Sequence, residues 1–212
     1  MILDKKRDHI DPLLSRIANK IIIINPDTLT YLALLFSVFA GVFFYFSSPD
    51  QELLNYYLFY ASFFVFLNGM LDAFDGKVAK IKGKATPRGD FLDHALDRYA
   101  DVFIIGGLAL SNWCRPSIGL LAITGTLLTS YMGTQAQAVG YKRVYSGLLG
   151  RADRIALLIV VPIIQHITLR LSFILPYNIT ILELLMLYFA VVGNITAIQR
   201  FYNTLKWFRE NK

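Results

Sequence analysis

Six long apolar runs, at roughly 28–48, 52–74, 94–113, 117–139, 155–175 and 178–199, leave this chain little choice of fold. Each approaches the ~20 residues that a helix needs to cross the hydrocarbon core of a bilayer. No water reaches backbone polar groups there, so each run must close its own hydrogen bonds as a helix. A soluble domain of 212 residues could bury one core, but it would not gather a 55% hydrophobic composition into segments this long. The runs predict an all-α integral membrane protein with six transmembrane helices, forming a single membrane domain over 1–212.

The basic residues orient that bundle. Five precede the first run (Lys5, Lys6, Arg7, Arg16, Lys20) and five lie between the second and third (Lys77, Lys80, Lys82, Lys84, Arg88). Four lie between the fourth and fifth (Lys142, Arg143, Arg151, Arg154) and four follow the last (Arg200, Lys206, Arg209, Lys212). The alternate connections hold only Arg115 and Arg170. Eighteen against two predicts both termini on the cytoplasmic side of the cell membrane. The net charge of +6 therefore marks a basic cytoplasmic face that suits anionic lipid headgroups. It is spread over four short segments with no recognisable module, which argues against a nucleic-acid partner. No signal peptide is expected, because no short apolar stretch with a small-residue cleavage site follows the charged N-terminus. The one cysteine, Cys114, excludes an internal disulfide and a cysteine-built metal site.

Residues 8–24 read as an amphipathic helix lying at the interface, with an apolar stripe of Leu13, Leu14, Ile17 and Ile21. Asp11 suits its cap and Pro12 its first turn. Asn25-Pro26-Asp27 then breaks the chain, with Asp27 or Thr28 able to cap the first span. The organisation is thus a cytoplasmic interfacial segment over 1–27, a six-helix bundle over 28–199 and a cytoplasmic tail over 200–212.

Chemistry concentrates between Asp72 and Asp97, in DAFDGKVAKIKGKATPRGDFLDHALD. Asp72 and Asp75 are three apart, and Asp93 and Asp97 four apart, so each pair shares a helix face. Four converging anions at the ends of apolar runs repel one another unless a cation sits between them. Hard carboxylate oxygens favour one or two divalent ions such as magnesium, manganese or calcium. Asp101 extends the second face by another turn, and Arg98 three residues earlier is its natural structural partner. Gly69, Ala73 and Gly76 leave one face of the preceding helix without bulk, for close helix packing or for a ligand approaching backbone. The helix must break within Lys77–Arg88, which holds Gly83 and Pro87. Arg151 and Arg154 at the mouth of the fifth run can bind a phosphate bidentately, or simply anchor the cytoplasmic end. His9, His94 and His166 do not cluster in sequence.

The pattern Asp72-x2-Asp75-Gly76-x2-Ala79-Lys80, continued by Gly89-x3-Asp93-x3-Asp97, resembles the signature of the CDP-alcohol phosphotransferases, membrane enzymes of phospholipid synthesis. The topology is similar over the whole chain. The family usually has arginine where this chain has Lys80, which keeps the charge but loses the two-pronged guanidinium. The resemblance implies transfer of a phosphatidyl or archaetidyl group from a CDP-lipid to an alcohol, with release of CMP. It implies Asp72, Asp75 and Asp93 as metal ligands, Asp97 as general base and metal ligand, and Mg2+ (or Mn2+) as cofactor. Asp72, Gly76, Ala79, Lys80 and Gly89 would meet the CDP moiety. Homodimers are frequent in the family.

The acceptor is less clear-cut. GDFLDHALDRYAD with IIGGLAL, and GRADR at 150–154, resemble the inositol-phosphate-using branch, especially archaeal members that make archaetidylinositol phosphate. That implies CDP-archaeol, or CDP-diacylglycerol, as donor and inositol 1-phosphate as the small polar acceptor. Bacterial relatives carry a lysine and an arginine where this chain has Gly133 and Gln135, so Lys142, Arg143, Arg151 and Arg154 become the candidate acceptor-phosphate ligands. Glycerol phosphate, serine or inositol are the alternative acceptors. A cation transporter is the rival of a different class, but it needs polar residues through to the outer face, and the outer halves of the runs are apolar. A catalytically silent scaffold of the same fold is a third reading.

Overall fold

A computed structural model describes residues 7–50, 55–142, 144, 146–171 and 179–211, in which all the regular secondary structure is helical. Seven helices are described: α1 (Arg7–Lys20), α2 (Pro26–Phe46), α3 (Tyr57–Ile81), α4 (Pro87–Ala109), α5 (Pro116–Ala138), α6 (Arg151–Arg170) and α7 (Ile181–Glu210). Four of them, α2, α3, α6 and α7, are long and apolar enough to cross a membrane, making this a multi-pass membrane protein. The acids and arginines of α4 dilute its apolar character, as do the glycines, threonines and glutamines of α5.

Local chemistry sets the helix starts. Asn25 caps α2 by accepting the Asp27 N–H at 3.2 Å, with Pro26 in the first turn. Thr86 caps α4 by accepting the Gly89 N–H at 3.1 Å ahead of Pro87, and Thr180 caps α7 by accepting the Glu183 N–H at 2.9 Å. Each arrangement satisfies an amide that the first turn leaves without a carbonyl. The sequence suggested Asp27 or Thr28 as the α2 cap; the cap lies at Asn25, whose extended backbone aims its side chain back at the first turn. α1 is helical from the first described residue, Arg7, so Pro12 lies inside it and not in its first turn, and Asp11 pairs with Lys77 of α3. α7 continues through the expected tail to Glu210, and its 30 residues span about 45 Å at 1.5 Å per residue.

α2 packs along α3 and α4, α3 on α6, α4 on α5, and α5 on α7, while α1 rests on α3. The main core holds Phe44, Leu58, Ile104, Leu108, Trp113, Leu158 and Phe189. A smaller cluster of Ala18, Leu29, Phe74 and Val78 seats α1 beside the acidic end of α3. Glycines let helices touch where they cross. A Cβ at Gly107 of α4 would lie 2.1 Å from the Gly41 carbonyl oxygen of α2, and one at Gly125 of α5 would lie 2.8 Å from the Asn194 backbone nitrogen of α7. Without a hydrophobic drive between helices in lipid, such close backbone contact is a principal source of association.

Candidate active site

α3 runs without interruption through Asp72 and Asp75 to Ile81, and α4 restarts at Pro87. The break falls at 82–86, where Gly83 takes φ 63°, a conformation that costs glycine little. Two polar contacts fasten this turn to the start of α2. Lys82 Nζ donates to the Ile24 carbonyl at 2.7 Å, and Arg88 Nη1 to Asp27 Oδ2 at 2.6 Å. The hairpin brings Asp72, Asp93 and Asp97 together, each offering a carboxylate oxygen within 4.8 Å of the others.

A cation already sits among them. Arg151, the first residue of α6, directs Nη1 at Asp72 Oδ1 (3.0 Å) and closely at Asp97 Oδ1. Its Nε lies 3.8 Å from Asp101 Oδ1, and Arg98 Nη2 lies 3.4 Å from Asp97 Oδ2. Asp93 is treated differently: its buried Oδ1 has no hydrogen-bond partner among the described residues. A hard three-carboxylate set, an unpartnered oxygen and a place where positive charge already lodges fit a divalent metal ion.

Asp75 stands apart from that trio. It is 3% exposed, Oδ2 accepts the Thr30 hydroxyl of α2 at 2.7 Å, and Oδ1 accepts the Gly76 N–H. Beneath the group, Asp101 pairs with Arg154 Nη2 at 2.9 Å, nearer than Arg98 at 3.8 Å. The sequence spacing suggested Arg98 as partner, and that ion pair forms; the packing of α6 on the acidic hairpin adds Arg154 as the nearer one. His94 lies 3.1 Å from Asp90 and 3.8 Å from Asp93.

The CDP-alcohol phosphatidyltransferase family profile matches residues 23–193, most of the chain. The chain belongs to that family. This CDP-alcohol phosphatidyltransferase is 27% identical over 207 residues to archaetidylinositol phosphate synthase of Pyrococcus horikoshii, covering 97% of each chain. It is 34% identical over 98 residues to the protein of the same name from Aeropyrum pernix, covering 46% of this chain and 50% of that one. Its fold is similar to the crystal structure of Mycobacterium tuberculosis phosphatidylinositol phosphate synthase with CDP-DAG bound, with TM-score 0.69, 26% identity, and 91% and 94% of the two chains covered. The manganese and citrate complex of the same protein matches at TM-score 0.69 and 25% identity, covering 91% and 88%.

The small residues of this phosphatidyltransferase divide by surroundings. A Cβ at Gly69 would lie 2.8 Å from Ile155 of α6, so Gly69 serves helix packing. A Cβ at Gly76 would meet nothing within 4 Å, and one at Gly89 only the Thr86 hydroxyl at 3.4 Å, so backbone beside the acids is accessible. Ala79 is half-buried and Lys80 exposed.

Of the four candidate acceptor-phosphate cations three are described: Arg151 and Arg154 both approach Asp101, and Lys142 lies elsewhere. Arg151 lies among the carboxylates, while Arg154 is 3% exposed and engaged by Asp101. Lys142 is exposed and lines a cleft of about 530 Å³ with Tyr141, Asn203, Lys206, Trp207 and Glu210, which includes none of the hairpin's aspartates. Arg143 lies outside the described residues.

Sequence reasoning missed Thr30 and Arg200. Thr30 is a polar residue one turn inside an apolar run, the only cue it carried. Buried Arg200 donates to the carbonyls of Thr129 (2.6 Å) and Ser146 (2.9 Å), joining α7, α5 and the loop before α6. A Cβ at Gly133 would lie 3.0 Å from its Nη1, so the guanidinium occupies the space where a side chain at that position would begin.

Proposed function

We propose that this enzyme transfers an archaetidyl or phosphatidyl group from a CDP-lipid to inositol 1-phosphate, releasing CMP, in membrane phospholipid synthesis. The observation that carries the reading is the convergence of Asp72, Asp93 and Asp97 on the α3–α4 hairpin, with Arg151 facing them. The names of the archaeal relatives and the CDP-DAG complex of the mycobacterial structure support the inositol-phosphate acceptor and the CDP-lipid donor.

Asp72, Asp93 and Asp97 would hold the divalent ion, Mg2+ with Mn2+ as a substitute, and Asp75 would join them by leaving Thr30 or would shape the site from behind. Bound there, the ion supplies charge neutralisation to the pyrophosphate and the leaving CMP. The chain does the rest. The open backbone at Gly76 and Gly89, with Ala79, lets the CDP moiety lie against the hairpin, and Lys80 adds a point charge for its phosphates. Asp97 takes the proton of the acceptor hydroxyl as its oxygen attacks the lipid-bearing phosphorus. Arg151 receives the acceptor phosphate, with Arg154 acting through Asp101; Lys142 and Arg143 are the further cations that the sequence offers for that phosphate.

The organisation that goes with this reading is one membrane domain over 1–212 with six spans, α2 to α7, and α1 lying in the cytoplasmic interface. The basic connections support a cytoplasmic active site and cytoplasmic termini. A homodimer is the expected assembly.

Purified protein with CDP-archaeol or CDP-diacylglycerol, Mg2+ and inositol 1-phosphate should release CMP. Glycerol phosphate, serine and inositol, assayed in parallel, test the acceptor. Turnover with serine and none with inositol phosphate would overturn the assignment.

A further inference from the structure

Arg151 is engaged on one side only. Nη1 bridges Asp72 and Asp97, while Nε and Nη2 are buried with no hydrogen-bond partner among the described residues. The 3.8 Å approach of Nε to Asp101 Oδ1 is an ion pair too long for a hydrogen bond. Nε and Nη2 form the edge of the guanidinium that matches two oxygens of a phosphate. Arg151 thus holds two carboxylates with one nitrogen and keeps its phosphate-binding edge in reserve.

The two carboxylates it bridges belong to the trio that converges within 4.8 Å. A divalent ion ligated by Asp72 and Asp97 needs the charge that Arg151 now neutralises. A guanidinium and a divalent cation cannot both lie in direct contact with the same oxygens without strong repulsion. Position favours movement over collapse. Arg151 is the first residue of α6, Gly150 before it caps the helix with extended backbone, and Gly147 takes φ 142° in the same connection. The residue below it, Arg154, is locked on Asp101 and keeps a positive charge in place when Arg151 departs.

We propose that Arg151 is a place-holding cation: it and the divalent ion compete for Asp72 and Asp97, and the ion's arrival releases the guanidinium toward the anionic acceptor. The second half rests on the reaction proposed above; the competition itself does not. The competition makes the acceptor-phosphate site depend on metal loading. Arg151 is in this sense a positioning residue as well as a ligand.

The test uses the full-length protein in detergent and two readouts. Free Mn2+ is followed by electron paramagnetic resonance during titration of wild type, Arg151→Gln and Arg151→Lys. Arg151→Gln should bind Mn2+ about tenfold more tightly, equivalent to about 1.4 kcal/mol; unchanged or weaker binding overturns the proposal. Arg151→Lys keeps the charge and a single donor nitrogen and should stay near wild type; loss of a nearby charge alone would also tighten the ion, so the second readout separates contact from charge. The second readout needs only wild type. Phenylglyoxal modifies guanidinium groups, and carboxylate pairing suppresses it, so saturating Mn2+ should raise labelling of Arg151, mapped by mass spectrometry, several-fold. Equal or lower labelling overturns the exchange even if a variant fails to fold. CMP release by wild type is scored separately: turnover without Mn2+-dependent labelling rejects the exchange alone, and labelling without turnover on any acceptor rejects the reaction alone.

Discussion

Arg154 Nη2 donates to Asp101 Oδ2 at 2.9 Å, and both side chains are 3% exposed. This pair lies under the acidic cluster and joins α6 to α4. Removing one member of a buried pair costs up to about 3–5 kcal/mol, reduced here by Arg98 and Arg151, each of which stays 3.8 Å from Asp101. Arg154→Met should therefore lower thermal stability in detergent, and combining it with Asp101→Asn should restore most of the loss. A double variant no more stable than Arg154→Met would show that the pair is not the source.

Asp97→Asn should reduce CMP release by about 10²–10⁴-fold, the range for removing a positioned proton acceptor, with helicity and detergent behaviour retained. Asp72→Asn and Asp93→Asn should each weaken Mn2+ binding by about tenfold or more, equivalent to at least about 1.4 kcal/mol. Wild-type turnover in Asp97→Asn would remove it from the role of base.

Thr30 reaches Asp75 across the α2–α3 packing, and a hydrogen bond to a charged group contributes about 1.5–3 kcal/mol. Thr30→Val should lower both the melting temperature and CMP turnover, while Thr30→Ser should preserve both. Equal losses in the two variants would mean that the methyl group matters and the hydroxyl does not.

Gly107→Leu tests the α2–α4 crossing, where a Cβ would lie 2.1 Å from the Gly41 carbonyl oxygen. The two backbones must separate, and overpacking of this kind costs about 1–3 kcal/mol or more. The expected outcome is poor recovery of folded protein and a broadened melt. Gly76→Ala, which meets nothing within 4 Å, should melt like wild type and lose CDP-lipid affinity instead.

Lys80→Arg should keep or raise turnover, because it restores a two-pronged donor at an exposed position beside the acids. Complete loss of activity would mean that the site is built around the shorter point charge.

Much of this protein follows from the linear chain. Apolar runs at spanning length dictate helices, because lipid offers backbone groups no other partner. The three- and four-residue spacings put Asp72 with Asp75, and Asp93 with Asp97, on shared faces, since helix geometry alone decides that. Gly83 and Pro87 mark the break between them, whereas the α2 cap, expected at Asp27 or Thr28, lies at Asn25.

What depended on tertiary structure was which distant side chain meets which acid. Arg98 satisfies the spacing rule for Asp101 and does pair with it, but the nearer partner, Arg154, 53 residues away, comes from the docking of α6 on the hairpin. Asp75 has the same sequence credentials as Asp72, yet packing against α2 buries it on Thr30 and leaves it outside the converging trio. Arg151 could be read from sequence only as a basic residue at a helix mouth; its place between Asp72 and Asp97 arises from the way three helices meet. Helix periodicity assigns a residue to a face, but pairing across helices depends on rotation and depth, which only the packed bundle determines.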